Sequence, residues 1–374
     1  MEVRKPLSPS PRIQRAVRGV GRYHVKIDRA LAAGFALALS TAACSDAQHP
    51  PGASEDAGDP IHGDDAAMDN DSDPPTGTGL KQVALSSGFV CTLRVDGAVA
   101  CQMLRTGEPV APFGWTNFKM IALGRGTGGS GEIVGLRSSG EVESYRFLVG
   151  TEASVAVADV ESIGGGDSHF CARHSDGTVS CWGRSVGQFG TGLEPVTVPP
   201  DQPVKLPIES VRAMAVGGHA TCVIREDRKV ACAGWLSPHP DGLFAVVPSL
   251  GDHAEKLYMG GVEPDAAACV LDGGGALRCT YSEVSPPSGE SSDVAVGHQA
   301  VCALFAGALK CSGTSWDYHT AQLVSVQPSA LPSVVSVATD SSNWCAITVN
   351  DEVWCWGGVE NWTSAAYRAI GKAS

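Results

Sequence analysis

The 374-residue chain predicts an all-β fold, a seven-bladed β-propeller, and three observations carry that prediction. Twelve of its thirteen cysteines form six pairs, Cys91/Cys101, Cys171/Cys181, Cys222/Cys232, Cys269/Cys279, Cys302/Cys311 and Cys345/Cys355. Partners are ten residues apart in five pairs and nine in the sixth, and each pair brackets a short turn. The pairs recur at the roughly 40 to 50 residue period of propeller blades. From Leu80 onward, strand-like triplets and turn residues dominate, with no long helical period.

The first element is a targeting segment, residues 1–43. An apolar run from Ala30 to Ala43 follows eight Lys or Arg and only two acids, Glu2 and Asp28, the order of a secretory signal. Fourteen residues span about 21 Å as a helix, short of the ~20 residues that cross a bilayer. Because the small residues end at Cys44, the segment resembles a bacterial lipoprotein signal, which implies that Cys44 is lipidated and becomes the new N-terminus. Thr41 stands where such signals usually carry leucine. Cleavage after Ala43 gives the alternative, a plainly secreted product. On the lipoprotein reading the protein is exported to the cell envelope and meets the membrane only through its lipid.

Residues 44–79 form the second element. Between Ser45 and Gly79 lie nine Asp or Glu and no Lys or Arg, so the segment has too little apolar surface to order itself and reads as an extended acidic tether.

Residues 80–374 hold the repeat. The third copy runs from Ile163 to Gly183 around Ser175-Asp176-Gly177; the first keeps Asp96-Gly97 and Val99 in register, and the fourth has Arg228 in place of the turn glycine. A cysteine-free copy places Val134 and Ser144 at the cysteine positions, which brings the count to seven. First-cysteine positions are then 43, 37, 51, 47, 33 and 43 residues apart, so the loops vary while the hairpin does not. A three-residue loop with Gly177 left-handed puts 174 opposite 178 and Cys171 opposite Cys181. Ala306-Gly307 as a two-residue loop pairs 305 with 308 and again opposes Cys302 and Cys311. Directly opposed residues lie within disulfide reach, so each of six blades carries its own hairpin disulfide, each stabilising by roughly 2 to 3 kcal/mol. Zinc requires other spacings. The closing strand of the ring is open at this stage between Gln82–Leu85 and the tail Ala365–Ile370.

The same register puts Trp344 opposite Trp356, Trp354 on their side, and Phe170 opposite Trp182, all away from the disulfides, as expected of fillers between blades. Trp115, Trp235, Trp316 and Trp362 fall outside the hairpins and are the candidate binding aromatics on exposed loops. Gly124-Arg125-Gly126-Thr127-Gly128-Gly129 spells a dinucleotide fingerprint but precedes a hairpin instead of opening a helix. His169, His219 and His298 stand at different offsets from their cysteines, which a metal ring or an acid–base site would not tolerate. Dispersed carboxylates show no paired-acid or calcium-loop spacing. No catalytic, cofactor-binding or metal-binding residue is assigned, and no cofactor is implied.

Gly166-Asp167-Ser168-His169-Phe170-Cys171-Ala172, Asp176-Gly177-Thr178-Val179 and Cys181-Trp182-Gly183-Arg184-Ser185-Val186-Gly187-Gln188-Phe189-Gly190 resemble the repeat of the regulator of chromosome condensation family. The resemblance recurs at Cys355-Trp356-Gly357 and extends in weaker form over residues 80–374. It implies a seven-bladed propeller; the paired cysteines mark an exported branch in an oxidising compartment. It also implies chromatin binding and guanine-nucleotide exchange on a small nuclear GTPase. Export and charge argue against both: the signal region carries +6, the tether −9 and the propeller −10 of the formal −13, and an acidic domain repels nucleic acid. The resulting reading is a noncatalytic, surface-anchored, monomeric propeller that binds another macromolecule, a protein or else a glycan. Two alternatives remain at this stage. One, implied by the family, is an exported inhibitor like the propeller-type β-lactamase inhibitory protein; the other is a propeller lyase or hydrolase built at the central channel.

Metabolic labelling with an alkynyl fatty acid should mark the wild-type protein and leave Cys44→Ser unmarked. An unlabelled wild-type product cut after Ala43 would show plain secretion.

Overall fold

Seven antiparallel sheets succeed one another along the chain: Leu80–Val110, Phe118–Val155, Val160–Lys205, Val211–Val246, Ala254–Cys279, Asp293–Ser325 and Val334–Lys372, here blades 1 to 7. The computed structural model describes residues 79–357 apart from 87, 127–129, 193–194, 239–240, 261–265, 281–288, 290, 298, 318–321, 326–327, 329–330 and 341, and also strand Arg368–Lys372. Of 315–317, 322–324 and 368–372 only the backbone is described. The signal segment, Cys44 and the tether up to residue 78 lie outside the described residues. Among the described residues, no helix is long and apolar enough to cross a membrane.

The hairpins form as their loop lengths dictate. In blade 3 the His174 amide donates to the Thr178 carbonyl at 2.9 Å, Gly177 takes φ 77°, and Cys171 pairs with Cys181. Blade 6 turns in two left-handed residues, Ala306 and Gly307, so Phe305 meets Ala308 and Cys302 meets Cys311. Blade 4 has Arg228 at φ 59° where blades 1, 2, 3 and 5 have glycine, as blade 7 has Asp351, also at φ 59°, yet its register is unchanged and Cys222 still opposes Cys232. All six predicted disulfides are formed: Cys91–Cys101, Cys171–Cys181, Cys222–Cys232, Cys269–Cys279, Cys302–Cys311 and Cys345–Cys355, with Cα atoms 4.0 to 4.1 Å apart. That is closer to the ~4.5 Å of non-hydrogen-bonded cross-strand pairs than to the ~5.5 Å of hydrogen-bonded ones. Six disulfides in one chain mark an oxidising compartment.

The blades stack in one direction. Cys91, Leu93 and Cys101 of blade 1 pack on Phe118, Ile121 and Ile133 of blade 2; Cys171 and Cys181 of blade 3 on Val216, Val223 and Ala231 of blade 4. Cys222 and Cys232 of blade 4 pack on Ala254, Ala268 and Val270 of blade 5, and Cys269 and Leu277 of blade 5 on Val294, Val301 and Ala303 of blade 6. The disulfide face of each blade thus meets the cysteine-free face of the next. The cysteine spacing predicts staples within blades; the structure adds that Cys222 and Cys232, with no exposed surface, are also core between blades and not part of any site open to a ligand. Trp344 and Trp356 fill the opposite side, against Cys302 and Leu304 of blade 6, and Phe170 and Trp182 pack with Val134 and Leu136 of blade 2. Burial of each such side chain stabilises by about 1.5–3 kcal/mol, which explains how the ring stands although many loops vary.

The ring closes by the same rule. Cys345, Ile347, Val353 and Cys355 of blade 7 pack on Leu80, Val83, Leu85 and Val90 of blade 1, and the Leu80 amide donates to Asp351 Oδ1 at 2.9 Å. Gln82–Leu85 belongs to blade 1's own inner strand; of the tail, residues 365–367 lie outside the described residues and 368–370 belong to Arg368–Lys372, blade 7's own outer strand, so neither described segment crosses to another blade.

The seven inner strands touch around the channel, and glycine lets them approach at one end. A methyl group on Gly260 would overlap the Val296 carbonyl of the next blade, and one on Gly165 would lie 2.7 Å from the Leu123 oxygen. Gly260→Ala should therefore destabilise by about 3 kcal/mol or more through overpacking. Gly273→Ala, in an exposed turn with its nearest neighbour at 3.5 Å, should change stability by under about 0.5 kcal/mol. Urea denaturation of the oxidised proteins measures both, and equal effects would contradict the close approach of the inner strands.

Candidate binding face

In an antiparallel four-stranded blade the first and third turns emerge on one side of the ring and the second turn on the other. His169 and His219 lie on the first-turn side. In blade 3 the Gly166 amide bonds the His169 carbonyl at 2.9 Å, and the Asp167 amide bonds Gly218 of blade 4 at 3.1 Å. The turn carries His169 inward, where its Nε2 lies 3.0 Å from Thr221 Oγ1 and its ring packs edge-on to Phe189 with centroids 6.2 Å apart. His169 has no exposed surface. Burial, aided by His219, pushes its pKa down to about 3, so at neutral pH it is an uncharged core residue and not an acid–base group.

The rest of the motif is used in packing. Ser185 Oγ accepts the Phe189 amide at 3.1 Å, Gln188 Oε1 accepts the Val186 amide, Phe189 is buried, and Gly190 is left-handed beneath Phe244. The Gly-Gln-aromatic-Gly ending locks the third turn of blade 3 against blade 4. Gly124, the start of the dinucleotide-like string, would overlap the Gly166 carbonyl if it carried a side chain; its glycine serves blade contact.

The channel polar groups are engaged likewise. Gln82 in blade 1 donates from Nε2 to the Ile121 carbonyl at 2.8 Å and accepts the Ile121 amide at 3.1 Å. In the corresponding position of blade 6, Asp293 accepts from Val337 N and Ser336 Oγ, each at 3.0 Å. Burial raises the Asp293 carboxyl above its usual range, opposed by these hydrogen bonds. Each side chain caps backbone groups on the edge of the next inner strand.

The four candidate aromatics separate. Trp115 is buried, 4% exposed, stacked on Phe118 at 4.6 Å with Nε1 donating to Glu152 at 2.8 Å. This corrects the expectation of an exposed loop: the chain before blade 2 folds back over Gly135, which lacks the side chain that would block the ring. Trp235 is 44% exposed and lies 5.6 Å from the His219 ring, whose Nδ1 is 3.8 Å from Asp167 Oδ2. Trp316 pairs through its backbone with Leu323. Trp362 and His298 lie outside the described residues.

Sequence reading missed two features of this side. Third turns carry exposed apolar residues, Leu148 (70%) and Val149 (60%) in blade 2 and Leu243 (37%) beside Trp235 in blade 4. Beside the blade 2 turn, an open cleft of about 350 Å³ separates Ser144, Arg146, Thr151 and Ala153 of blade 2 from Gly183, Thr197, Val198, Pro199 and Pro200 of blade 3. Arg146 Nε donates to buried Glu132 at 3.1 Å. The signal was present in the hairpin register: the arithmetic that opposes Val134 to Ser144 also opposes Glu132 to Arg146.

Residues 160–190, the core of blade 3, match the family described as "Regulator of chromosome condensation (RCC1) repeat". No curated protein matches the chain. Among solved structures, the chain is similar to the CRINKLY WD40 ectodomain of the Arabidopsis thaliana receptor kinase ACR4, at 19% identity over 67% of this chain and 84% of that one, TM-score 0.46. It is also similar to yeast RCC1 (Prp20), solved bound to Kap60, at 14% identity over 79% and 75%, TM-score 0.43. A third similarity is to the ectodomain of the Physcomitrella patens receptor kinase CR4, at 20% identity over 65% and 64%, TM-score 0.45.

Between pH 6.5 and about 3 the unfolded chain protonates His169 while the folded protein keeps it neutral. The unfolded state binds the extra proton, so stability drops as the pH is lowered through that window, by up to about 1.4 kcal/mol per unit. His169→Gln, which still offers Thr221 a partner, should flatten the stability–pH curve there. Identical slopes in variant and wild type would show that folded His169 takes up the proton.

Proposed function

We propose that this seven-bladed ring, whose third blade is a regulator of chromosome condensation repeat, is a noncatalytic binding protein. Exported and anchored to the bacterial envelope through a lipid on Cys44, it stands off the membrane on the acidic residues 45–79. Its ligand is another protein. The observation that carries this reading is the exposed Leu148, Val149, Trp235 and Leu243 on the third turns of blades 2 and 4. Apolar and aromatic side chains held in solvent by rigid sheets are the anchors protein partners use, because little ordering entropy remains to be lost on docking. The propeller charge of −10 disfavours nucleic acid, and among the described residues His169 is engaged in packing and the channel carboxylate of Asp293 in capping the next blade.

The test immobilises the oxidised full-length protein and its L148S/V149S/W235S/L243S variant, and exposes both to envelope extract and culture medium. One protein retained by the wild type and reduced at least tenfold on the variant is the expected result. Nothing retained, or equal retention by both, would overturn the reading. Loss of capture after glycosidase treatment of the extract would transfer it to a glycan.

A further inference from the structure

Blade 2 departs from the repeat at one place, and the cleft opens at that place. Where six blades bury a disulfide, blade 2 sets Val134 opposite Ser144 and, on the same face, Glu132 opposite Arg146. The Glu132 side chain is 4% exposed and that of Arg146 36%; the Ser144 hydroxyl also bonds Glu132. Burial raises the Glu132 carboxyl and Arg146 opposes that shift. An ion pair with one partner buried gives little net stability for its desolvation, so stability does not account for placing one two residues from the site where the other blades have a staple.

We propose that this cleft is a binding site for a small organic monocarboxylate, with the carboxylate on Arg146 and the apolar body against Val198, Pro199 and Pro200. Arg146 lines the cleft, and the bond to Glu132 uses its Nε. Glu132 holds the guanidinium in place, and a planar guanidinium matches a carboxylate better than any other side chain does. Charge sets the ligand class. Glu132 offsets one positive charge and the surrounding domain carries −10, which disfavours a dianion such as phosphate and leaves a monoanion held by geometry. Thr197 stands exposed at the mouth to meet a polar substituent. The volume of about 350 Å³ falls at the small end of ligand sites. The site adjoins the blade 2 turn that carries Leu148 and Val149 but is not lined by them, and it does not depend on the protein-binding reading.

Titration calorimetry of the oxidised full-length protein tests the site with N-acetyl-L-valine, a peptide C-terminus, and D-glucuronate, an acidic sugar. N-acetyl-L-valinamide and D-glucose are their neutral counterparts. At least one carboxylate should bind with a dissociation constant of about 1 mM or tighter and its neutral counterpart at least tenfold more weakly; which of the two binds identifies the source. The E132Q/R146Q variant, which keeps a neutral pair across the strands, should lose binding tenfold or more. T197W should do the same by filling the mouth from an exposed position, leaving the buried pair intact. Absence of binding by both carboxylates, equal binding of the neutral compounds, or wild-type affinity in T197W would overturn the proposal.

Discussion

Each of the six stapled blades turns its cysteine face toward the blade that follows, blade 2 turns the matching Val134 face, and this one-way contact is what the rest of the molecule depends on. A hairpin has two faces, and here they differ chemically. One carries a disulfide flanked by Leu, Val or Ile, as at Leu93 in blade 1 and at Ile224 beside Cys222 and Cys232 in blade 4; the other carries the fillers, from Phe170 and Trp182 to Trp344 and Trp356. Stacking unlike faces seven times buries both and leaves neither exposed at the seam, where Cys345 and Cys355 meet Val83 and Val90 as any other pair of blades meets. A sheet ring built this way needs no exchanged strand. The covalent staple lies within the blade, while the apolar contact lies between blades.

Rigidity of the hairpins permits variety in the turns. The disulfides hold Cα atoms 4.0 to 4.1 Å apart in every stapled blade, and the glycines that end inner strands bring neighbouring backbones into contact. Against that frame, the third turn is a single short reversal at Leu148-Val149 in blade 2 and a longer loop through Trp235 and Leu243 in blade 4. Binding surfaces favour this division, since fixed strands keep the turn ends in place.

The conspicuous polar residues divide into two groups. His169, Gln188, Gln82 and Asp293 complete hydrogen bonds that the stacked blades would otherwise leave unmade, as buried polar groups must. Glu132 and Arg146 differ, because they occupy the stapled face of the single described blade without a disulfide and border open space.

The features legible along the chain are local and periodic. The number of copies, the cross-strand register and the pairing of all twelve cysteines follow from loop length, because a hairpin fixes its own geometry within about a dozen residues. Contacts between copies arise only when the blades are stacked. The His169–Thr221 contact joins residues 52 apart and the seam bond from Leu80 to Asp351 spans 271; no turn rule reaches so far. Trp115 shows the limit most clearly: outside any hairpin it reads as a loop aromatic, yet Gly135, across the turn on another strand, leaves room for its ring in the core. The cleft has the same origin, since the face left by Val134 and Ser144 becomes a site only when blade 3 supplies the opposite wall.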